Sequence, residues 1–61
     1  MKVLKGIEKN KYMALVAASM YDKTGDKTYM LALKHIIDET CLRYGSKGVS
    51  DVIEFIYEEK L

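Results

Sequence analysis

The chain has 61 residues, of which 49% are hydrophobic, and its formal net charge is +1. This length allows one domain with a small core, so the large apolar fraction indicates a partner, most simply a second copy. Cys41 is the only cysteine and His35 the only histidine, which excludes an intrachain disulfide and the usual structural zinc site. Oligomerisation remains as the source of extra stability. The net charge alone favours no class of partner.

The N-terminal residues 1–7 are interpreted as a short basic arm. Val3 and Leu4 are able to pair as a strand across a dimer, and Gly6 disfavours a helix that continues from the N-terminus. Residues 1–12 hold four lysines against one glutamate, a local charge of +3, whereas the C-terminal region is acidic. The arm and the residues after it therefore form the densest cation cluster, which comprises Lys2, Lys5, Lys9 and Lys11.

The first predicted helix runs from about residue 8 to residue 23, with Asn10 as an alternative N-cap. Residues 12–18 are contiguous and apolar, so this helix is predicted to be buried on every side. Its alanines would let a second helix approach closely. One side is expected to contact the rest of the chain and another side a second copy. The residues predicted at this oligomer interface are Tyr12, Leu15, Val16 and Met20.

The second predicted helix runs from about residue 27 to residue 44. Gly25 is expected to end the first helix in a left-handed conformation, and Asp26 to cap the second. The turn is short, so the two helices are predicted to pack antiparallel. Apolar residues at spacings of three and four predict a core stripe, which Tyr29 and Ile36 widen. The members of the stripe are Met30, Leu33, Ile37, Cys41 and Tyr44.

The third predicted helix spans about residues 49–60, after a turn at residues 45–48. It has an apolar face and an acidic face, the latter formed by Asp51, Glu54 and Glu58. The fold class that follows is all-α: a small three-helix domain, a helical hairpin plus a C-terminal helix, completed by homodimerisation. The residues predicted to be most buried are Leu33, Ile37, Val52 and Ile56.

Few residues carry recognisable chemistry. His35, Asp38 and Glu39 have the spacing of a metal half-site or an acid–base pair, but this spacing is common on helices and no second cluster supplies ligands. Cys41 lies nearly two turns from His35 and on the predicted core stripe, where a thiol is inert. We therefore expect no enzyme activity, no metal or other cofactor and no small-molecule substrate.

The location of the protein is predicted from two features. Residues 12–20 are too short an apolar segment to span a bilayer, so no membrane association is expected. A lone free cysteine is typical of a reducing compartment. The protein is therefore predicted to be cytoplasmic.

The glycine-rich turn at residues 45–48 suggests one kind of partner. Lys47 and the start of the third helix offer a possible phosphate contact. The segments Arg43-Tyr44-Gly45 and Val49-Ser50-Asp51-Val52-Ile53 resemble the second half of ribbon-helix-helix DNA-binding proteins, over about residues 29–61. Gly48 stands where that family has a capping serine, and residues 12–21 do not alternate as its strand does. The resemblance implies a dimer that binds DNA.

Two function hypotheses follow. The first is a homo-oligomeric DNA-binding transcriptional regulator that uses its basic N-terminal arm. The alternative is a helical protein–protein interaction module, an adaptor or an inhibitor with no nucleic-acid role, which the near-neutral charge favours. The residues predicted to contact nucleic acid under the first hypothesis are Lys2, Lys5, Lys9, Lys11 and Lys47.

Overall fold

The computed structural model describes residues 5–60, which contain helices and no strand. Helix α1 comprises Ile7–Thr24 and helix α2 comprises Lys27–Lys60. Within this part of the chain neither helix is long and apolar enough to cross a bilayer. The predicted all-α fold class is confirmed. The possible strand at Val3 and Leu4 lies outside the described residues.

Helix α2 bends sharply at Gly45. Its 34 residues would measure about 51 Å if straight, whereas the longest dimension of the molecule is 29 Å. Gly45 has φ 74° and ψ −171°, a backbone conformation that glycine adopts and other residues avoid. The predicted third helix is therefore the second part of α2, residues 46–60, which begins before the predicted start at Val49. Residues 27–44 form the first part of α2.

The connection between α1 and α2 has the predicted capping geometry. Gly25 is left-handed, with φ 72° and ψ 7°, and its N–H donates to the carbonyl oxygen of Tyr21 at 2.7 Å. Asp26 then caps α2, because its Oδ1 accepts the backbone N–H of Thr28 at 2.9 Å. The backbone hydrogen bond from Thr28 holds the pKa of Asp26 below its ordinary value, and the Thr28 side chain adds to this effect.

The start of α1 differs from the prediction. The helix begins at Ile7, after Gly6, and no side chain caps it. Asn10 is not an N-cap, because it lies inside the helix with only 7% of its surface exposed. Its Nδ2 donates to Thr40 Oγ1 at 2.8 Å, and Thr40 Oγ1 donates to the carbonyl oxygen of Ile36 at 2.7 Å. A polar side chain that sequence reasoning placed at a helix end therefore joins α1 to α2.

This polar pair lies on the face of α2 that points inward. Thr40 is fully buried and Ile36 nearly so, whereas Met30 and Cys41 of the predicted stripe are exposed. The prediction that Cys41 is buried was wrong, because the helix turns the face with Ile36 and Thr40 toward α1.

The core is small and consists mainly of alanine. Val52 is fully buried, as predicted. Leu33, Ile37 and Ile56 are only half-buried, because the closely packed alanines leave little interior for long side chains. The buried hydrophobic residues of the described chain are Ala14, Ala17, Ala18, Ile36 and Val52.

Candidate functional site

Helix α1 is buried on one side only. Its alanines face the core, while Tyr12, Met13 and Val16 are 42%, 46% and 59% exposed. The single chain therefore buries one side of α1, and the burial of another side by a second copy stays a prediction. The small alanine side chains let α2 pack closely on one face and leave the larger apolar side chains on the other.

These exposed side chains border an apolar groove between α1 and the first part of α2. The groove has a volume of about 420 Å³. It is lined by Tyr12, Met13, Val16, Ala17, Tyr29, Ala32 and Ile36. Two of the predicted interface residues, Tyr12 and Val16, therefore lie on one surface. The other two, Leu15 and Met20, are half-buried and line a separate depression that Glu59 also borders.

A second surface gathers cations at the N-terminal end of α1. Lys5 and Lys9 line a polar cleft of about 420 Å³ together with Arg43 from α2. Glu39, the one carboxylate among its lining residues, lies 3.7 Å from Arg43 Nε through its Oε1. We call this surface the basic cleft; its three cations and one carboxylate give a net charge of +2. Its neutral lining residues are Gly6, Asn10, Met13 and Tyr44.

Lys11 does not belong to the basic cleft. Its Nζ lies 3.5 Å from Glu8 Oε1 and 5.9 Å from the centroid of the Phe55 ring. The Phe55 ring in turn packs edge-on against Tyr12, with centroids 5.0 Å apart. The side chain of Lys11, a residue of α1, therefore contacts the second part of α2 through Phe55. It shares a surface depression with Phe55 and three carboxylates, Asp51, Glu54 and Glu58.

We call this depression the acidic face. Its three carboxylates and one cation give a net charge of −2.

Of the remaining predicted nucleic-acid-binding residues, Lys47 is exposed and lines neither surface. Lys2 lies outside the described residues. The structure thus brings together Lys5 and Lys9 and adds Arg43, which sequence reasoning missed. The predicted antiparallel hairpin was the signal for Arg43, because such a hairpin places the end of residues 27–44 beside the start of α1.

The residues considered for catalytic or metal chemistry are dispersed. His35, Asp38 and Cys41 are all exposed. Residues 5–60 contain no group of three or more histidine, cysteine or acidic side chains placed to hold a metal ion.

No protein family, curated protein sequence or solved structure matches this chain. Residues 12–21, which precede the segment that resembles ribbon-helix-helix proteins, lie within α1.

Proposed function

We propose that the protein is a self-associating helical interaction module whose apolar groove and exposed α1 side chains are covered by a partner. The observation that carries this proposal is that the buried apolar residues are mostly small, whereas many large apolar side chains are exposed. Three of the five buried hydrophobic residues are alanine, while nine large hydrophobic side chains of the described chain are exposed. Exposed apolar surface of this kind is typical of an interface.

A second copy is the simplest partner. A 61-residue chain without a disulfide has few other sources of stability, and a homodimer would add a second layer of apolar contacts to the small core. The exposed thiol of Cys41 suits a reducing compartment, which supports a cytoplasmic location. In this proposal the protein acts by binding and has no catalytic role.

Substituting Val16 with glutamate tests the self-association. Val16 is 59% exposed in the single chain, so this change should alter the folding stability of the monomer by less than about 0.5 kcal/mol. At an interface it would desolvate an unpaired charge, which is strongly unfavourable. We therefore expect the dimer dissociation constant, measured by sedimentation equilibrium, to rise by about tenfold or more.

Leu42→Glu is the matched control for Val16→Glu. Leu42 is 88% exposed and lines none of the three surfaces, so its substitution should leave the dissociation constant unchanged. A wild-type protein that stays monomeric up to millimolar concentration would overturn the proposal.

Nucleic-acid binding is a second candidate function, and the basic cleft is the observation that favours it. Lys5 precedes α1, Lys9 lies in its first turn and Arg43 lies on α2, and the three converge on one concave surface. Clustered cations are the electrostatic requirement for contact with phosphate groups. In a dimer two such clefts would be present. This candidate corresponds to the DNA-binding regulator, with Arg43 taking the place of Lys11.

The paired substitution of Lys5 and Lys9 by glutamine tests this candidate. If the basic cleft binds duplex DNA, the affinity measured by fluorescence anisotropy falls as salt rises, and the log–log slope drops by about 0.9 for each phosphate that the variant no longer neutralises. Substituting Lys27 and Lys34, which are exposed on α2 outside the cleft, should leave this slope unchanged. Absence of binding by the wild-type protein at about 50 mM salt, where electrostatic attraction is strong, would eliminate the candidate.

A further inference from the structure

The three surfaces are contiguous. Met13 lines both the basic cleft and the apolar groove. Tyr12 lines the apolar groove and packs edge-on against Phe55, which lines the acidic face. A path across the molecule therefore runs from the basic cleft through the apolar groove to the acidic face.

The two ends of this path have equal and opposite charge. The basic cleft carries +2 and the acidic face −2, each with three charges of one sign and one of the other. The apolar centre with oppositely charged ends resembles the anatomy of a protein interface, in which an apolar middle is surrounded by a polar rim. The surface of this chain is thus complementary to itself.

We propose that a second copy of the chain seats the acidic face of each protomer on the basic cleft of the other, with the two apolar grooves in contact between them. This inference rests on the proposed self-association and specifies its geometry. In a two-fold interface the same patch is used by both copies. A two-fold axis that crosses the path at the apolar groove brings opposite charges together at both ends. An axis along the path would oppose like charges, which is unfavourable.

A second copy fits these surfaces better than nucleic acid does. A duplex on the basic cleft would leave the adjoining apolar groove in water. A second copy covers the apolar groove and neutralises both charged ends at once. The two occupants of the basic cleft exclude each other, so one set of variants distinguishes them.

Charge reversal at Lys9 and Glu54 tests the geometry. Both residues are exposed in the single chain, and a carboxylate at position 9 lies in the first turn of α1, where it favours the helix. The variants Lys9→Glu and Glu54→Lys should each fold normally by circular dichroism. Each should form its own homodimer about tenfold more weakly than wild type, because each reversal brings the net charge of one surface to zero and both charged contacts lose their attraction.

Mixing the two variants provides the decisive measurement. In a heterodimer of Lys9→Glu with Glu54→Lys, one contact pairs the unaltered acidic face with the unaltered basic cleft, and the two reversed side chains, which again have opposite charges, meet at the other. Heterodimers should therefore exceed the statistical half of all dimers in native mass spectrometry. The preference should be strong at about 0.01 M ionic strength and weak at about 1 M, where charges are screened within about 3 Å. Lys34→Glu and Asp38→Lys, exposed residues outside the three surfaces, are the matched control pair and should mix statistically.

Each outcome decides a separate point. If the two variants form dimers in statistical proportions at every ionic strength, the charge-paired geometry is overturned and the proposed self-association stays intact. A wild-type monomer would overturn both. Statistical mixing together with duplex DNA binding that Lys9→Glu abolishes would assign the basic cleft to nucleic acid instead.

Discussion

Replacing Gly48 with alanine is expected to destabilise the protein by about 3 kcal/mol, the upper range for overpacking a tight site. Gly48 is buried, and a Cβ atom at this position would overlap the Cβ of Tyr44 and lie 3.4 Å from Thr40 Cγ2. The Cβ of Tyr44 is attached to the backbone and has no rotamer that moves it away. The second part of α2 would have to shift as a unit. A domain of 61 residues has a total stability of only about 3–9 kcal/mol.

Urea denaturation followed by circular dichroism measures this effect. Helix propensity alone favours alanine over glycine by about 1 kcal/mol, so a loss of stability isolates the steric conflict. Ser46→Ala, an exposed change in the same turn, should stay within about 0.5 kcal/mol. Adding Tyr44→Ala should not restore stability, because alanine keeps the Cβ. Full recovery in that double variant would contradict the explanation.

Substituting Thr40 with valine is expected to destabilise the protein by about 1–3 kcal/mol. Valine has nearly the same shape as threonine but removes the hydroxyl oxygen that accepts from Asn10 Nδ2 at 2.8 Å. Asn10 is 7% exposed, so most of its amide would remain out of water without this partner. The carbonyl oxygen of Ile36 would lose a donor as well. Chemical denaturation of the variant gives the change in the free energy of unfolding.

A double-mutant cycle with Asn10→Leu is the control. Leucine removes the amide that needs a partner, while the Thr40 hydroxyl still donates to the carbonyl oxygen of Ile36. In the Asn10→Leu background, Thr40→Val should therefore lower the free energy of unfolding by about 1 kcal/mol less than it does in the wild type. Equal losses in the two backgrounds would show that the hydrogen bond between Asn10 and Thr40 contributes nothing to stability.

The charged surfaces were only partly predictable from the sequence. Lys9 and Lys11 are close in sequence, and both were assigned to one cation cluster. On a helix two residues that are two positions apart lie about 200° apart around the axis, so they face different neighbours. Lys9 joins Lys5 and Arg43, whereas Lys11 contacts Glu8 and the Phe55 ring. Their separation follows from helical geometry, but the identity of their neighbours depends on how α1 and α2 pack.

The sequence by itself determined the helical fold and the turn between α1 and α2, because these depend on short-range rules. Apolar spacing predicts helices, and Gly25 and Asp26 have the backbone freedom and the carboxylate that the turn needs. Only the tertiary structure decided which face of α2 points inward. Apolar spacing favours the stripe through Ile37, whereas the buried face of α2 runs through Ile36 and Thr40. The inward face includes a hydrogen bond between residues 30 positions apart, Asn10 and Thr40, and local periodicity carries no information about such a contact.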